Sequence, residues 1–405
     1  MTRPPAPHID ASTPVLVLGG RQGALGVARS LGRLGVPVYA IYEEPPSQTR
    51  FSRYWKETLR WDFSRPTPGL LDFLDVIGRR IGRPALLIPA TDALAMFVAE
   101  HADALTGPFV FPRLSPHLVF SLLSKREMFY LATRIGIPTA RTAFPRSEDE
   151  VPRLLDTVPL PIMVKGIDPR LPGGKVKAIV RSERALRAAV DGADITNVMI
   201  QEYIPGNDDA VWMFNGYFDR EADCLAGFTG RKLRQWPPYR GVTSLGICAR
   251  NDLVADLTKR FMKTVGYHGI LDVGYRYDAR DGRYKILDAN PRVGATFRLF
   301  VGRGGMDVVR AFYLDMTQQP VPPDESIEGR KWLLEEDIFS CRQYWRDGNL
   351  TFAGWAKSLW GIQEAAWFAF DDPAPFVSWA AGIMGRLARA LVGGRNRAAR
   401  GLHAG

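Results

Sequence analysis

The spacing of apolar residues changes between two periods along the first 115 residues. An apolar run at 15–18, helical spacing at 24–34 and a second apolar run at 36–42 predict a strand, a helix and a returning strand. Such a crossover favours a parallel, doubly wound sheet that places ligands at the carboxyl ends of its strands. A further strand at 85–89 continues the pattern, so the first domain is predicted to end near residue 115.

Shorter elements follow this domain. The pattern predicts a helix over 120–132, strands at 161–166 and 198–204, and a helix over 182–190. These short strands and helices are typical of a small α+β unit.

The stretch from Gly269 to Arg292 predicts a β-hairpin. Two runs rich in branched and aromatic residues flank a loop at 278–282 that ends in glycine. If all five loop residues lie outside the ladder, Tyr277 faces Arg283, and this pair sets the register of both strands.

That register places Asp272 directly opposite Asp288, with Asn290 on the same face. Opposed carboxylates repel one another unless a cation neutralises them, and a hard divalent cation prefers carboxylate and amide oxygens. The alternatives are that one aspartate points to solvent, or that the register is shifted by a pair.

Composition and charge narrow the function classes. The 405 residues are 46 % hydrophobic and 24 % charged, which is typical of globular domains. The chain has three widely spaced cysteines and no zinc-type spacing, so we expect a reducing compartment, and the polar N-terminus lacks a secretory pattern. The net charge is +10, but the sequence contains no nucleic-acid-binding motif, so no nucleic-acid partner is expected.

The first glycine turn suggests a dinucleotide fold only weakly. Gly20, Gly23 and Gly26 do not follow G-x-G-x-x-G, although Glu43 and Glu44 follow the second strand where a ribose contact would be needed. A nicotinamide-dependent oxidoreductase is therefore the alternative enzyme class. The turn itself either contacts a phosphate or small substrate, or is purely structural.

Several polar positions suit a bound polyphosphate nucleotide. Lys125, Lys165 and a glycine loop with Lys175 supply positive charge and accessible backbone N–H groups. The strand at 201–204 can contact an adenine, and Asp208 lies where a ribose hydroxyl would need an acceptor.

Taken together, these motifs resemble those of the ATP-grasp superfamily, carboxylate–amine ligase type. The matching marks are Lys125 before Gly136-Ile137-Pro138-Thr139, the strand 162–165, the segment 201–206 and the segment 286–292. They span about three quarters of the chain, from roughly residue 15 to 300.

The resemblance implies an α/β fold, α+β in the lid, with four parts. These are a Rossmann-like domain (1–115), a lid (116–200), a metal and nucleotide subdomain (201–318) and a helical C-terminal extension (319–405). It implies ATP and Mg²⁺, with Mn²⁺ as a substitute. The implied ATP contacts are Lys125, Lys165, Lys175, Gln201, Glu202, Tyr203, Ile204 and Asp208; the metal ligands are Asp272, Asp288 and Asn290; the catalytic residues are Arg292 and Arg231.

In this family, ATP converts a carboxylate to an acyl phosphate, and an amine then displaces phosphate to form an amide. The resemblance therefore implies small-molecule carboxylate and amine substrates, an amino acid or a cell-wall precursor among them. A non-catalytic ATP-binding protein is a further alternative. Gly274 departs from the family pattern, because glycine replaces a frequent glutamate, and Asp272 is therefore the expected upstream ligand.

Two regions keep open alternatives. The basic segment around Arg231 is either a solvated loop or a clamp for an acidic substrate. The C-terminal segment, with Trp355, Trp360 and Trp367 and several terminal arginines, either packs on the core or touches an anionic membrane surface. The expected location is cytoplasmic, with peripheral contact at the inner face of the membrane as the second option.

Overall fold

A computed structural model describes residues 9–43, 48–63, 67–167 and 176–401. Three sequence-based expectations, those for Glu44, the glycine pair at 173–174 and Lys175, lie outside the described residues.

The N-terminal unit is a five-stranded parallel sheet in the order β3-β2-β1-β4-β5. Its central strand β1 is buried on both faces because helices cover both sides, which explains the continuous apolar run at 15–18. The elements, with two helices that follow, are β1 (Val15–Leu18), α1 (Gln22–Gly32), β2 (Val38–Tyr42), β3 (Trp55–Arg60), α2 (Thr67–Ile81), β4 (Ala85–Pro89), α3 (Asp92–Glu100), α4 (Ala102–Leu105), β5 (Phe109–Val110), α5 (Pro116–Leu123) and α6 (Lys125–Arg134).

The glycines of the first turn allow close packing. A Cβ at Gly23 would lie 3.1 Å from Val293 Cγ1, and one at Gly26 would lie 2.6 Å from the Phe297 ring. These glycines therefore let α1 approach the chain that leaves the hairpin, which favours the structural interpretation of the turn.

The lid is a four-stranded antiparallel sheet in the order β6-β9-β7-β8 with its own apolar core. Its elements are β6 (Thr142–Ala143), α7 (Val151–Thr157), β7 (Ile162–Gly166), β8 (Lys177–Val180), α8 (Glu183–Val190) and β9 (Val198–Glu202). The domain boundary predicted at 200/201 is wrong because it cuts β9, which pairs with β7 up to Glu202.

The start of the predicted lid also needs correction. The helix predicted over 120–132 is two helices, α5 and α6, which meet at Ser124, whose side chain accepts a hydrogen bond from the Glu127 amide and so caps α6. Leu122 and Met128 share a core with the large sheet rather than with the lid.

The large unit is a seven-stranded sheet in the order β14-β13-β10-β11-β12-β15-β16. Its elements are β10 (Val211–Phe218), β11 (Cys224–Trp236), β12 (Val242–Cys248), α9 (Asp252–Val265), β13 (Gly269–Asp278), β14 (Arg283–Asn290), α10 (Val308–Met316), β15 (Lys331–Leu333), α11 (Asp337–Arg346), α12 (Phe352–Leu359), β16 (Ile362–Ala365) and α13 (Ala374–Gly401). The C-terminal segment is thus not the purely helical extension predicted, because β15 and β16 complete this sheet.

Buried ion pairs fix the C-terminal segment to the rest of the chain. Arg29 of α1 binds Asp372 at 2.9 Å, and both side chains are almost fully buried. Arg234 of β11 binds Asp337 of α11 through two nitrogens, at 2.7 Å for the Nη2–Oδ2 contact. Within the described residues, no helix is long and apolar enough to cross a membrane.

Replacing Asp337 by alanine should destabilise the protein by about 3–5 kcal/mol, because Arg234 would remain as an unpaired buried charge. The exposed pair Arg79–Asp75 on α2 supplies the control, since Asp75→Ala should cost less than about 1 kcal/mol. Urea unfolding of both variants gives the comparison, and equal losses would contradict a structural role for the buried pair.

Candidate active site

A cleft of about 470 Å³ lies between the lid and the seven-stranded sheet. It brings together most of the predicted nucleotide contacts with residues that the sequence did not single out. The predicted residues that line it are Lys125, Lys165, Gln201, Glu202, Tyr203, Ile204, Asp208 and Asp288; further lining residues include Lys177, Lys232, Gln235, Arg240 and Arg276.

Four lysines converge on this cleft from different elements. Lys125 begins α6 and donates to the Gly166 carbonyl at 2.6 Å, and Lys165 of β7 donates to Gln201 Oε1 at 2.8 Å. Lys177 of β8 donates to the Arg240 carbonyl, and Lys232 of β11 donates to the Gly241 carbonyl at 3.1 Å. Each ammonium group is therefore held in place by an oxygen.

Burial lowers the pKa of all four lysines because it disfavours the charged form. The effect is large for Lys165, whose pKa falls to about 8, mainly because of burial and also because of the neighbouring Lys177. A polyphosphate would restore the balance of charge, so the lysine cluster fits an anionic ligand.

The predicted adenine contacts begin at the end of strand β9, and the two side chains that belong to the strand have different partners. Gln201 connects Lys165 to Thr142 of β6, since its Nε2 donates to Thr142 Oγ1 at 3.0 Å. The buried carboxylate of Glu202 instead binds Arg280 at 2.6 Å. Burial alone would raise the pKa of Glu202, but Arg141 and the nearby cations hold it below its usual value.

Asp208 follows β9 and is buried at the wall of the cleft. Its Oδ1 accepts a hydrogen bond from Gln235 Nε2 at 2.7 Å, and its Oδ2 accepts one from the Tyr344 hydroxyl of α11. The predicted ribose acceptor is therefore oriented by a residue from the C-terminal segment.

The hairpin forms as predicted, but its predicted register is wrong. Asp278, not Tyr277, pairs with Arg283, so the loop is one residue shorter than expected. A bulge beyond Gly274 then adds another one-residue shift, and Asp272 pairs with Asn290. Together the two shifts move the partner of Asp272 by two residues, from Asp288 to Asn290. This is the register shifted by a pair, the alternative that the sequence left open.

Gly274 now has a structural explanation. It pairs with Asp288, donates its N–H to Asp288 Oδ1 at 3.1 Å, and has no side chain to obstruct that carboxylate. A Cβ at this position would lie only 2.5 Å from Asp288 Oδ1. Glycine therefore lets the Asp288 carboxylate lie across the neighbouring strand.

The side chains of Asp272, Asp288 and Asn290 share one face of the hairpin and suit a magnesium ion. Asp272 is half-buried, accepts a hydrogen bond from Asn215 Nδ2 at 2.9 Å, and has its pKa raised to about 6, mainly by desolvation and also by Asp288. A cation beside it would relieve that cost. In the described parts of the chain, no group of three or more His, Cys, Asp or Glu side chains could hold a metal. Two carboxylates and an amide nevertheless fit Mg²⁺, which takes further oxygens from phosphates and water.

The two predicted catalytic arginines occupy different surroundings. Arg292 donates from Nε to Asp92 at 2.7 Å and lies 4.0 Å from Asp272, so it borders the face of the hairpin that carries Asp272. Arg231 is not among the residues that line the cleft. Neighbouring residues of a strand point to opposite faces, and the side chain on the cleft side is that of Lys232. The role of Arg231 stays a prediction.

Sequence reasoning missed Lys177, Lys232, Arg240 and Arg276 as cleft residues. The sequence did contain a signal for Lys232, because this lysine follows Arg231 in the basic part of strand β11 and its side chain must point to the opposite face. Arg276 donates to the carbonyls of Ile204 and Gly206 and so supports the turn after β9, a contact that no local pattern indicates.

A Rossmann-like sheet, a four-stranded lid and a large, mainly antiparallel sheet, with a cationic cleft between the last two, define the ATP-grasp fold. The comparisons confirm the predicted α/β class and the resemblance to this superfamily: the chain has the ATP-grasp fold. No protein-family model matches the chain.

Among curated proteins, a D-aspartate ligase from Enterococcus faecium is 21 % identical over 343 residues, covering 78 % of this chain and 81 % of the relative. Solved structures with the same fold include an L-amino acid ligase from Bacillus licheniformis, with a TM-score of 0.60, 12 % identity and coverage of 79 % and 76 %. An N5-carboxyaminoimidazole synthetase from Staphylococcus aureus complexed with ADP gives a TM-score of 0.64, 12 % identity and coverage of 84 % and 87 %.

A biotin carboxylase domain from Hydrogenobacter thermophilus, solved with MgADP, ADP and bicarbonate, matches with a TM-score of 0.57 at 17 % identity, covering 78 % of this chain and 72 % of that chain. The expected class, an ATP-grasp ligase that forms C–N bonds, agrees with the D-aspartate ligase and L-amino acid ligase relatives. The nicotinamide alternative finds no support among these relatives.

ATP affinity should fall as the pH rises from 7 to 9, because Lys165 loses its charge near pH 8. If binding requires the protonated amine, the affinity above that pH decreases by up to about tenfold per pH unit. Titration calorimetry of the wild type and Lys165→Met measures the effect. The variant should bind more weakly and lose most of the pH dependence, whereas a slope retained by the variant would assign the titration to another group.

Proposed function

We propose that this protein is an ATP-dependent carboxylate–amine ligase that releases ADP and phosphate. One observation carries the proposal: four lysines and Asp288 line one cleft between a lid and a sheet, and Asp272 lies close enough to act electrostatically on one of these lysines, Lys232. Such a site can bind a nucleotide triphosphate and a cation together.

The chain's own residues would act by positioning and by charge. Lys125 and Lys165 would bind phosphate oxygens, while the main chain from Gln201 at the end of β9 to Ile204 beyond it would contact adenine. Asp208 would accept hydrogen bonds from the ribose. Because phosphoryl transfer needs little covalent help from a protein, fixed cations of this kind can supply most of the stabilisation.

Asp288, Asn290 and Asp272 would hold Mg²⁺, for which Mn²⁺ is a chemically similar substitute. The ion supplies charge neutralisation between phosphate groups when bound. Asn215 supports this arrangement from the neighbouring strand, because it is fully buried and its amide orients Asp272.

Arg292 would bind the reacting carboxylate. Its present partner is the carboxylate of Asp92, which stands at the start of α3 beyond the carboxyl end of β4. An acidic substrate entering between the Rossmann-like sheet and the hairpin would meet the same guanidinium. The D-aspartate ligase relative makes D-aspartate and other amino acids the first carboxylates to test, with amine-bearing cell-wall peptides as acceptors.

The activity test is an ADP-release assay with amino acids and peptide amines, with and without Mg²⁺. We expect Mg²⁺-dependent ADP release with at least one acid–amine pair, and loss of turnover of at least about 100-fold in Asp288→Asn with an unchanged circular dichroism spectrum. Asp223→Asn, in an exposed ion pair with Lys263, should retain turnover. Full activity of Asp288→Asn would contradict the metal assignment, and ATP binding without ADP release for any pair would favour a non-catalytic protein.

We also propose a cytoplasmic location with peripheral contact at the inner face of a membrane. The supporting observation is a group of exposed apolar side chains in the C-terminal segment, among them Trp360 at 85 % and Phe370 at 94 % exposure, followed by basic residues such as Arg386 and Arg389 on α13. Aromatic and basic side chains together favour an anionic lipid surface.

Sedimentation with vesicles tests this contact. The protein should bind phosphatidylglycerol-containing vesicles better than phosphatidylcholine vesicles, and the double change Trp360→Ser, Phe370→Ser should weaken binding by about tenfold or more. Val76→Ser, which replaces an exposed apolar residue of the N-terminal unit, is the control. Equal binding by the double variant and the wild type would remove the basis for a membrane role of this segment.

A further inference from the structure

Tyr344 connects the C-terminal segment to the nucleotide cleft. It lies on α11, is 5 % exposed, and its hydroxyl donates to Asp208 Oδ2. None of the motifs that suggested an ATP site includes this residue, which lies 136 positions beyond Asp208 in the sequence.

The other hydrogen bonds of the Tyr344 oxygen direct its hydroxyl proton to Asp208. The Tyr344 oxygen accepts hydrogen bonds from the backbone N–H groups of Gln235 at 3.2 Å and Tyr239 at 3.3 Å. Because a phenol oxygen has two lone pairs and one proton, both acceptor positions are used and the proton is directed to Asp208. Burial and Asp208 also raise the pKa of Tyr344, so the proton stays in place at physiological pH.

The ring cannot readily move away. Two residues one to two turns earlier on α11 fix the helix: Asp337 forms the buried pair with Arg234, and Ser340 Oγ donates to the Gln235 carbonyl at 2.6 Å. The Tyr344 ring also packs edge-on against Tyr239, with ring centroids 4.7 Å apart. The hydroxyl is thus a rigid donor.

These contacts leave Asp208 with defined free acceptor positions. A carboxylate offers about four lone-pair sites. Tyr344 takes one on Oδ2 and Gln235 takes one on Oδ1, so about one site remains on each oxygen. Two adjacent acceptors in one plane match two vicinal hydroxyl donors, which is the arrangement that a ribose presents and a deoxyribose lacks.

We infer that Tyr344 is a positioning residue that orients Asp208 to bind the ribose of the nucleotide, so that the C-terminal segment helps to select ribonucleotides. The inference rests on the proposed ATP site. It assigns to α11 a part in nucleotide selection, which is separate from the reaction of the carboxylate with the amine.

The test compares the affinities for ATP, 2′-deoxy-ATP and 3′-deoxy-ATP in the presence of Mg²⁺, measured by titration calorimetry without any acid or amine. The wild type should bind ATP about tenfold more tightly than each deoxy analogue, as expected for one hydrogen bond to a charged acceptor. In Tyr344→Phe, which keeps the ring, this ratio should fall toward one because ATP binding weakens while the binding of the analogues changes little.

Tyr217→Phe is the matched control. It also removes a buried tyrosine hydroxyl from an aspartate, Asp315, at 2.6 Å, but on α10 and away from the cleft. Thermal unfolding of both variants shows whether they are folded. Gln235→Met, which removes the donor on Asp208 Oδ1, provides a second variant that should also reduce the ratio. If Tyr344→Phe does not fold, an unchanged ratio in Gln235→Met contradicts the orientation of Asp208 by its two hydrogen-bond donors.

The outcomes separate this inference from the proposed function. An unchanged ratio in Tyr344→Phe and Gln235→Met, or equal binding of the three nucleotides by the wild type, would overturn the role of Tyr344 while leaving the ligase proposal standing. A wild type that binds none of the nucleotides would overturn both. A ratio that falls in the two cleft variants and not in Tyr217→Phe supports the inference.

Discussion

Four ammonium groups lie close together in the cleft, and their mutual repulsion must be offset by the elements that carry them. Burial removes water from the four ammonium groups and lowers the pKa of each, those of Lys125, Lys165, Lys177 and Lys232. Like charges gathered in this way oppose folding unless rigid elements hold them. Each lysine accordingly comes from a different element, and an oxygen of the protein meets each ammonium group.

The three sheets divide this task. The lid contributes Lys165 and Lys177 from paired strands, while the seven-stranded sheet opposes them with Asp272 and Asp288. The Rossmann-like sheet packs against the end of the hairpin and brings Asp92 to Arg292. Charges of opposite sign thus face one another across a gap that a nucleotide and its cation could fill.

The C-terminal segment belongs to this arrangement rather than standing apart from it. Its strands β15 and β16 complete the large sheet, and its helix α11 reaches Asp208 at the wall of the cleft through Tyr344. The buried pairs Arg29–Asp372 and Arg234–Asp337 hold it to the N-terminal unit and to β11. Truncating this segment would therefore expose charged groups in the core and alter the nucleotide site.

The βαβ opening, the hairpin, the ATP-grasp class and many residues of the cleft could be predicted from the sequence, because periodicity, glycine turns and motif order can be read along a chain. The register of the hairpin was not predicted correctly, since it depends on a loop one residue shorter than expected and on a bulge beyond Gly274, which only the pairing of the two strands reveals. The alternation along β11 separates Lys232 from Arg231 but does not say which of the two faces the cleft, and the packing of the lid over the sheet decides that. The contact of Tyr344 with Asp208 joins residues 136 positions apart, and no local pattern carries that information.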